Sequence, residues 1–235
     1  MVDIESLGWL RQRRGGRTPD PVAAATLMEA AGVHGIACPL PGKAEEPARR
    51  DAQLLVEIMN SHLNLVLRPV ESTIRAALKL TPPLVTLVAP YKSSSYRNSS
   101  LALQGDTKDL AKWVGQLRAN KIVVSCWIQP TLDNVKAAAG ICADYVEFNT
   151  AEYSAAEDAA AEQTALDSLA ELAVAANRLG LGVMAGRGLT YDNAAGIARI
   201  PHMETLHIGH AIISRGLLIG ISQAVRDMID VMHRE

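Results

Sequence analysis

Residues 121–150 read KIVVSCWIQPTLDNVKAAAGICADYVEFNT. Ile122–Trp127 is a short apolar run of strand length, Leu132–Ala139 carries a helical pattern, and Tyr145–Phe148 is a second strand. A strand, a helix and a strand joined by short turns form a crossover unit, and such units place their strands parallel.

The same alternation extends outward in both directions. Upstream, Val2–Leu7 reads as a first strand. A helix follows with Asp20 as N-cap and Pro21 at its first position, and it ends at Gly32. His34–Cys38 is a strand stopped by Pro39, Pro41 and Gly42. Arg50–Met59 reads as a helix, Leu63–Leu67 as a strand, and Ser72–Leu80 as a helix halted by Pro82 and Pro83. Leu84–Val88 is the fourth strand. Tyr91–Ser100, with five serines and no apolar period, reads as a mobile loop after it. Leu110–Ala119 is a helix. Downstream, Ala155–Leu179 is helical, with an extra turn before the main helix. Gly182–Ala185 is a strand, Asn193–Ile200 a helix, Thr205–Ile208 a strand, and Ile212–Met232 one long amphipathic helix. Eight strand–helix units in 235 residues predict a single-domain (β/α)8 TIM barrel over residues 1–235. An open, doubly wound sheet is the competing arrangement.

Composition narrows the function classes. The 23 basic and 25 acidic side chains leave a net charge of −2, which argues against a nucleic-acid footprint. No apolar run reaches the length of a membrane span. Met1 is followed by Asp3 and Glu5 rather than by a basic start and an apolar core, so the expected place is the cytoplasm. Cys38, Cys126 and Cys142 lack metal-ligand spacing and are expected to be reduced, strand-buried thiols.

In a barrel of this kind chemistry sits where strands hand over to helices. Two such places stand out. Gly186-Arg187-Gly188 follows the seventh strand, and Gly209-His210 follows the eighth and opens a helix. Glycines let backbone amides approach an anion, and a helix N-terminus adds partial positive charge, which points to phosphate. The plainer reading is that these glycines only make tight turns.

These segments carry a family resemblance. RRGGRTPDPVAAA (13–25), Gly35-Ile36, Leu63-Asn64-Leu65, Tyr145-Val146-Glu147-Phe148-Asn149-Thr150, Ala185-Gly186-Arg187-Gly188-Leu189-Thr190-Tyr191 and Leu206-His207-Ile208-Gly209-His210-Ala211-Ile212-Ile213 occur in an order that resembles the pyridoxine 5'-phosphate synthase family over nearly the whole chain. The last two are similar to that family's Ala-Gly-His-Gly-Leu-Thr-Tyr and Asn-Ile-Gly-His-Ala-Ile-Ile. The resemblance implies a cytosolic barrel of the vitamin B6 pathway. Members of that family condense 1-deoxy-D-xylulose 5-phosphate with 3-amino-2-oxopropyl phosphate and close a pyridine ring, releasing phosphate and water, and the resemblance carries that reaction over as an expectation. It also implies no metal or organic cofactor, and a homo-oligomer of dimers assembled into an octamer.

The resemblance also exposes departures. The family's acid–base groups are a His after strand two, a Glu ending strand three and a His after strand seven. Here those positions hold Pro39, Val66 and Arg187. Proline and valine carry no exchangeable proton, and arginine is a poor base. The family's Arg beyond the first His is Pro41, and its strand-one Asn-x-Asp-His is Asp3-Ile4-Glu5-Ser6. Its Thr-x-Gly-Gly loop is Tyr96-Arg97-Asn98-Ser99-Ser100, and its strand-six His is Asn149. Arg14, Gly186, Gly188, Gly209 and His210, together with Glu147, match retained family positions.

The reading that follows is a barrel that binds a phosphorylated small molecule without the family's ring closure. Arg14, Gly186, Arg187, Gly188, Gly209, His210 and Arg97 are its binding candidates. The alternatives are an enzyme with altered condensation or isomerisation chemistry on a phosphorylated substrate, or a true synthase using substitute residues. For either, Glu147 as base, Lys92 as amine and His210 as acid are the candidates, with Cys38 as a further thiol. Plainer roles compete: a solvated loop lysine for Lys92, a rim hydrogen bond for Glu147, and a salt bridge across the barrel mouth for Arg187. Arg97 is a candidate for reaching a second phosphate as the loop folds over. His207, inside strand eight, reads as a satisfied core histidine. His34 and His62 precede strands two and three, at the rim opposite the site.

Overall fold

The structure is a computed structural model that describes residues 1–42, 47–89, 100–105 and 107–233. Among these, eight strands follow one another around a single sheet: β1 (Val2–Asp3), β2 (Gly35–Pro39), β3 (His62–Leu67), β4 (Leu84–Leu87), β5 (Val123–Ile128), β6 (Tyr145–Asn149), β7 (Gly182–Gly186) and β8 (Met203–His207). Each pairs in parallel with the next. A parallel bridge from Val2 to Ile208 then joins the last strand to the first. Asp3 N donates to Ile208 O at 3.1 Å, and Ile208 N donates to the carbonyl of Met1 at 3.1 Å. The sheet therefore meets itself, which rules out the open-sheet alternative.

Eleven described helices connect the strands: α1 (Glu5–Arg14), α2 (Pro21–Ala30), α3 (Pro47–Ile58), α4 (Glu71–Leu80), α5 (Lys108–Ala119), α6 (Leu132–Gly140), α7 (Ala151–Ser154), α8 (Ala159–Arg178), α9 (Ala194–Ala198), α10 (His210–Ile219) and α11 (Ile221–Met232). None is long and apolar enough to cross a membrane.

Strand alternation sorts the side chains into two populations. Ile36, Cys38, Leu65, Val85, Val124, Val146 and Val183 point outward into the large core, against helix residues such as Met28, Leu55, Val114 and Ala173. The alternate positions point into the barrel. There, Ala37, Val66, Val88 and Trp127 form a separate small apolar cluster. Asn64, Thr86, Ser125, Glu147 and His207 are buried polar residues of the same interior.

Three sequence expectations are corrected. The first strand ends at Asp3, and helix α1 begins at Glu5, so Ser6 lies in a helix's first turn rather than at a strand end. The N-cap is Ile4, with no side-chain cap, so the start carries no sequence signal. The long C-terminal helix is two helices, broken at Gly220 with φ 85° and ψ 145°. Cys142 is not a buried strand thiol. It is exposed in the turn before β6, at φ 59°. By contrast, Asp20 accepts from Val22 N at 2.9 Å, capping α2 as expected. The segment 91–100, Ser100 excepted, lies outside the described residues, and Lys92 and Arg97 lie there with it.

Helices α1 and α3 are tied by a buried two-pronged ion pair. Arg11 Nη1 and Nη2 donate to Asp51 Oδ1 and Oδ2 at 3.0 and 2.5 Å. The hydrogen bond to Asp51 holds the guanidinium above its ordinary pKa against the opposing effect of burial. Arg11→Ala leaves Asp51 buried and unpaired, with an expected loss of about 3–5 kcal/mol in urea unfolding. Replacing both residues by apolar side chains should cost clearly less.

The thiols give a second check. Burial pushes Cys38 well above the usual thiol range and Cys126 up to about 12, so neither forms thiolate in the folded chain. Ellman's reagent should titrate Cys142 alone in the native protein and all three thiols after denaturation. Rapid reaction of a second thiol in the native state would contradict the burial described.

Candidate active site

The turn after β7 is built from two successive residues with positive φ, Arg187 at 83° and Gly188 at 72°. Gly188 is dictated by space as well as by conformation, because a Cβ there would lie 2.5 Å from Ser154 Cβ. Arg187 bears a side chain in a region that L residues rarely adopt. The neighbouring elements hold it there. The Thr150 hydroxyl is shared between the carbonyls of Gly186 and Arg187, at 2.8 and 2.6 Å, and Ser154 Oγ donates to Arg187 O at 3.2 Å. Asn193 closes the far side, accepting from Thr190 N at 2.7 Å and donating to Gly188 O at 3.2 Å. The Tyr153 hydroxyl donates to Asn193 O at 2.8 Å. Burial and the neighbouring Glu162 push that phenol up to about 12, so it remains a neutral donor.

The end of β8 meets the end of β1. Gly209 is the N-cap of α10, and a Cβ on it would lie 2.7 Å from Asp3 O. Only glycine allows the two strand ends to close this tightly. The first described hydrogen bond of α10 runs from Ile213 N to Gly209 O at 3.0 Å. The amides of His210, Ala211 and Ile212 precede it, at the helix end that suits an anion. His210 is exposed, with Nε2 3.3 Å from Ser214 Oγ.

Between these two turns lies a cleft of about 410 Å³. Arg187, Gly188, Leu189 and Thr190 line it from the turn after β7, His207 through Ala211 from the end of β8 and the start of α10, Asp3 from β1, and Glu5 and Ser6 from the first turn of α1. The structure thus brings Arg187, Gly188, Gly209 and His210 together. Gly186 lies just beneath, where a Cβ would crowd Glu147 Oε1 at 3.1 Å. Arg14 is not brought there: it sits exposed in the last turn of α1 and is not among the lining residues. A larger cleft of about 610 Å³ lies between α7 and α8. Its charged lining is Glu152, Glu157 and Asp158, a poor match for an anion.

Glu147 and His207 form a buried pair under the first cleft. His207 Nδ1 lies 2.5 Å from Glu147 Oε1, and both side chains are sealed from water. Asn64 Nδ2 faces Thr86 Oγ1 at 2.8 Å and His207 Nε2 at 3.3 Å. Nε2 also lies 3.1 Å from Met1 Sδ, so Glu147 and Asn64 face opposite nitrogens of the ring. Pro39 and Val66 stand in a different environment. Both are buried, and Val66 packs with Ala37, Val88 and Trp127. Among the described residues no group of His, Cys, Asp and Glu is arranged to hold a metal.

Sequence reasoning located the two glycine turns. It passed over Asp3 and Glu5 as binding-site walls, and the Glu147–His207 pair. The pair joins strands sixty residues apart, a separation that no local spacing reports.

The family described as "Pyridoxal phosphate biosynthesis protein PdxJ" matches residues 1–234. A curated pyridoxine 5'-phosphate synthase from Synechococcus sp. is 41% identical over 231 residues, covering 98% of this chain and 97% of the relative. One from Geobacter sulfurreducens is 36% identical, with the same coverage. Among solved structures, KGPDC from Streptococcus mutans is similar with TM-score 0.66 at 11% identity, covering 98% of this chain and 95% of that one. A structure described as a 4-hydroxy-2-oxoglutarate aldolase/2-deydro-3-deoxyphosphogluconate aldolase gives TM-score 0.61 at 15% identity, covering 91% and 88%. At those identities the structural likeness shows the barrel alone.

The turn geometry can be tested directly. Gly188→Ala combines a left-handed backbone with the Ser154 contact, and is expected to cost about 1–3 kcal/mol in chemical unfolding. Adding Ser154→Gly removes the atoms that the new methyl meets and should recover part of that loss. No recovery would mean that the contact does not set the turn.

Proposed function

The chain belongs to the PdxJ family of pyridoxal phosphate biosynthesis proteins, and on that premise we propose that it binds a phosphorylated small molecule in the cleft between β7, β8 and β1. The observation that carries this reading is the convergence of Gly188, Gly209, the N-terminus of α10, Arg187 and His210 on one cleft. The α10 amides offer hydrogen bonds to phosphate oxygens, and the planar guanidinium of Arg187 suits the same group. His210 lies at the first helical position as a further donor.

The family's ring closure is not supported by these residues. By resemblance its proton-transfer groups stand at positions 39, 66 and 187. Here a buried proline and a buried valine occupy the first two, and a permanently charged arginine the third. Losing one general acid or base typically costs about 10²–10⁴-fold in rate. A pyridoxine 5'-phosphate synthase-like barrel that binds a phosphate ester but does not close the pyridine ring accounts for both sets of residues.

One observation favours a second reading, an enzyme with substitute residues. The Glu147–His207 pair is a carboxylate-oriented imidazole directly beneath the cleft, and His207 stands where the resembling segment has asparagine. Lys92, the other candidate, lies outside the described residues. We further propose a homo-oligomer in the cytoplasm. Leu217, Leu218 and Ile219 at the end of α10 are 72%, 85% and 44% exposed, an apolar run that a second copy of the chain would cover.

Titration with inorganic phosphate and glycerol 3-phosphate tests the binding reading. One equivalent should bind, and Arg187→Ala should weaken it about 10- to 100-fold, the range for a charge-assisted hydrogen bond. Incubation with 1-deoxy-D-xylulose 5-phosphate and 3-amino-2-oxopropyl phosphate should yield no pyridoxine 5'-phosphate. Product that disappears in Glu147→Gln and His207→Asn would replace this reading with the second.

A further inference from the structure

The barrel interior is divided, and the division limits what the site holds. We propose, resting on the phosphate-binding reading above, that Trp127, packed with Ala37, Val66 and Val88, closes the β2–β5 side of the barrel to ligand, so that the site takes one phosphorylated molecule at a time.

Each of the four plug residues comes from a different, consecutive part of the wall: Ala37 from β2, Val66 from β3, Val88 from the end of β4, and Trp127 from β5. Their exposures are 0%, 2%, 0% and 0%. The pairing of Thr86 with Ser125 sets Val88 level with Trp127 across the β4–β5 edge. Pro39 is buried at the end of β2, in register with Val66, and its side chain adds no polar atom. None of these residues lines the 410 Å³ cleft, whose described walls come from the β7, β8 and β1 ends and the first turns of α1 and α10. Below the plug, Asn64 and Thr86 bond to each other, and the Glu147–His207 pair occupies the same polar layer. A sugar hydroxyl or a second phosphate driven into the plug would shed its water among four side chains of which Trp127 alone carries a polar atom, its Nε1–H. A condensation of two phosphorylated molecules needs both held in contact. Among the described residues the divided interior provides for one, which suits a single-substrate rearrangement or ligand sensing.

The experiment is a competition titration by calorimetry on the full chain. Glycerol 3-phosphate is titrated in the absence and presence of inorganic phosphate at about ten times its own Kd. Shared occupancy of a single site raises the apparent Kd about tenfold at unchanged 1:1 stoichiometry. The same titration with dihydroxyacetone phosphate should give the same competition. A second equivalent of either organic phosphate that binds without displacing the first overturns the proposal.

Trp127→Gly then tests the residue itself. It should create a cavity that takes indole at 1:1, raise the thermal midpoint in indole's presence, and leave glycerol 3-phosphate undisplaced. Indole that expels the phosphate ester, or that fails to bind a folded Trp127→Gly chain, shows that Trp127 does not partition the interior. If the glycine variant does not fold, Trp127→Leu is compared with wild type in the competition arm, where noncompetitive binding of two esters by the wild type still decides against the proposal. Absence of any phosphate binding to wild type takes down the site reading as well. Binding of two esters leaves that reading standing and removes only the partition.

Discussion

The structure depends on a closure. Eight parallel strands make a barrel only if the last can hydrogen-bond to the first, and here that joint rests on a strand of two residues, Val2–Asp3, bridged to Ile208. A parallel sheet left open would present unpaired backbone groups along two edges. Closing it also brings the ends of β7, β8 and β1 within reach of one another. Gly209 is what lets the joint seat so closely, with Asp3 O where its Cβ would be. The cleft is therefore a by-product of the closure: its walls are the strand ends that the closure draws together.

Alternation then divides the residues by role. Positions pointing outward from the strands build the shared core with the helices. Those pointing inward are few, and they decide what the barrel contains. On one side they are Ala37, Val66, Val88 and Trp127; on the other they are Glu147 and His207 beneath the cleft. The open cleft thus lies at the β7, β8 and β1 ends, while the apolar cluster, above the polar Asn64, Thr86 and Ser125, lies on the β2–β5 side. That cluster stabilises the barrel by burying apolar surface.

Much of this was legible in the chain and some was not, for physical reasons. The strand–helix alternation is a local signal, and so are the Asp20–Pro21 helix start and the glycine turns at 186–188 and 209. Helix α1 was hidden because its N-cap, Ile4, has no capping side chain, and because Val2 and Ile4 alternate with Asp3 and Glu5 as a strand would. The break at Gly220 was hidden because one glycine inside an apolar pattern is compatible with a continuous helix. Cys142 follows an apolar residue, yet it takes up a left-handed turn conformation that places it in solvent. The Glu147–His207 contact and the separate Trp127 cluster arise from closure of the sheet, and no spacing along the chain encodes which inward residues will share a layer.

The two-residue first strand also has a kinetic meaning. The bridge between Val2 and Ile208 joins points more than two hundred residues apart, so the chain must close a very large loop before either partner gains anything from it. Strand pairs along the sheet can form from neighbours as they arise; this one waits for all the others. Because the cleft is built across that same joint, it should be among the last features to mature. A phosphate ester that binds there would favour the completed ring over partly assembled states, and would slow the joint's local opening.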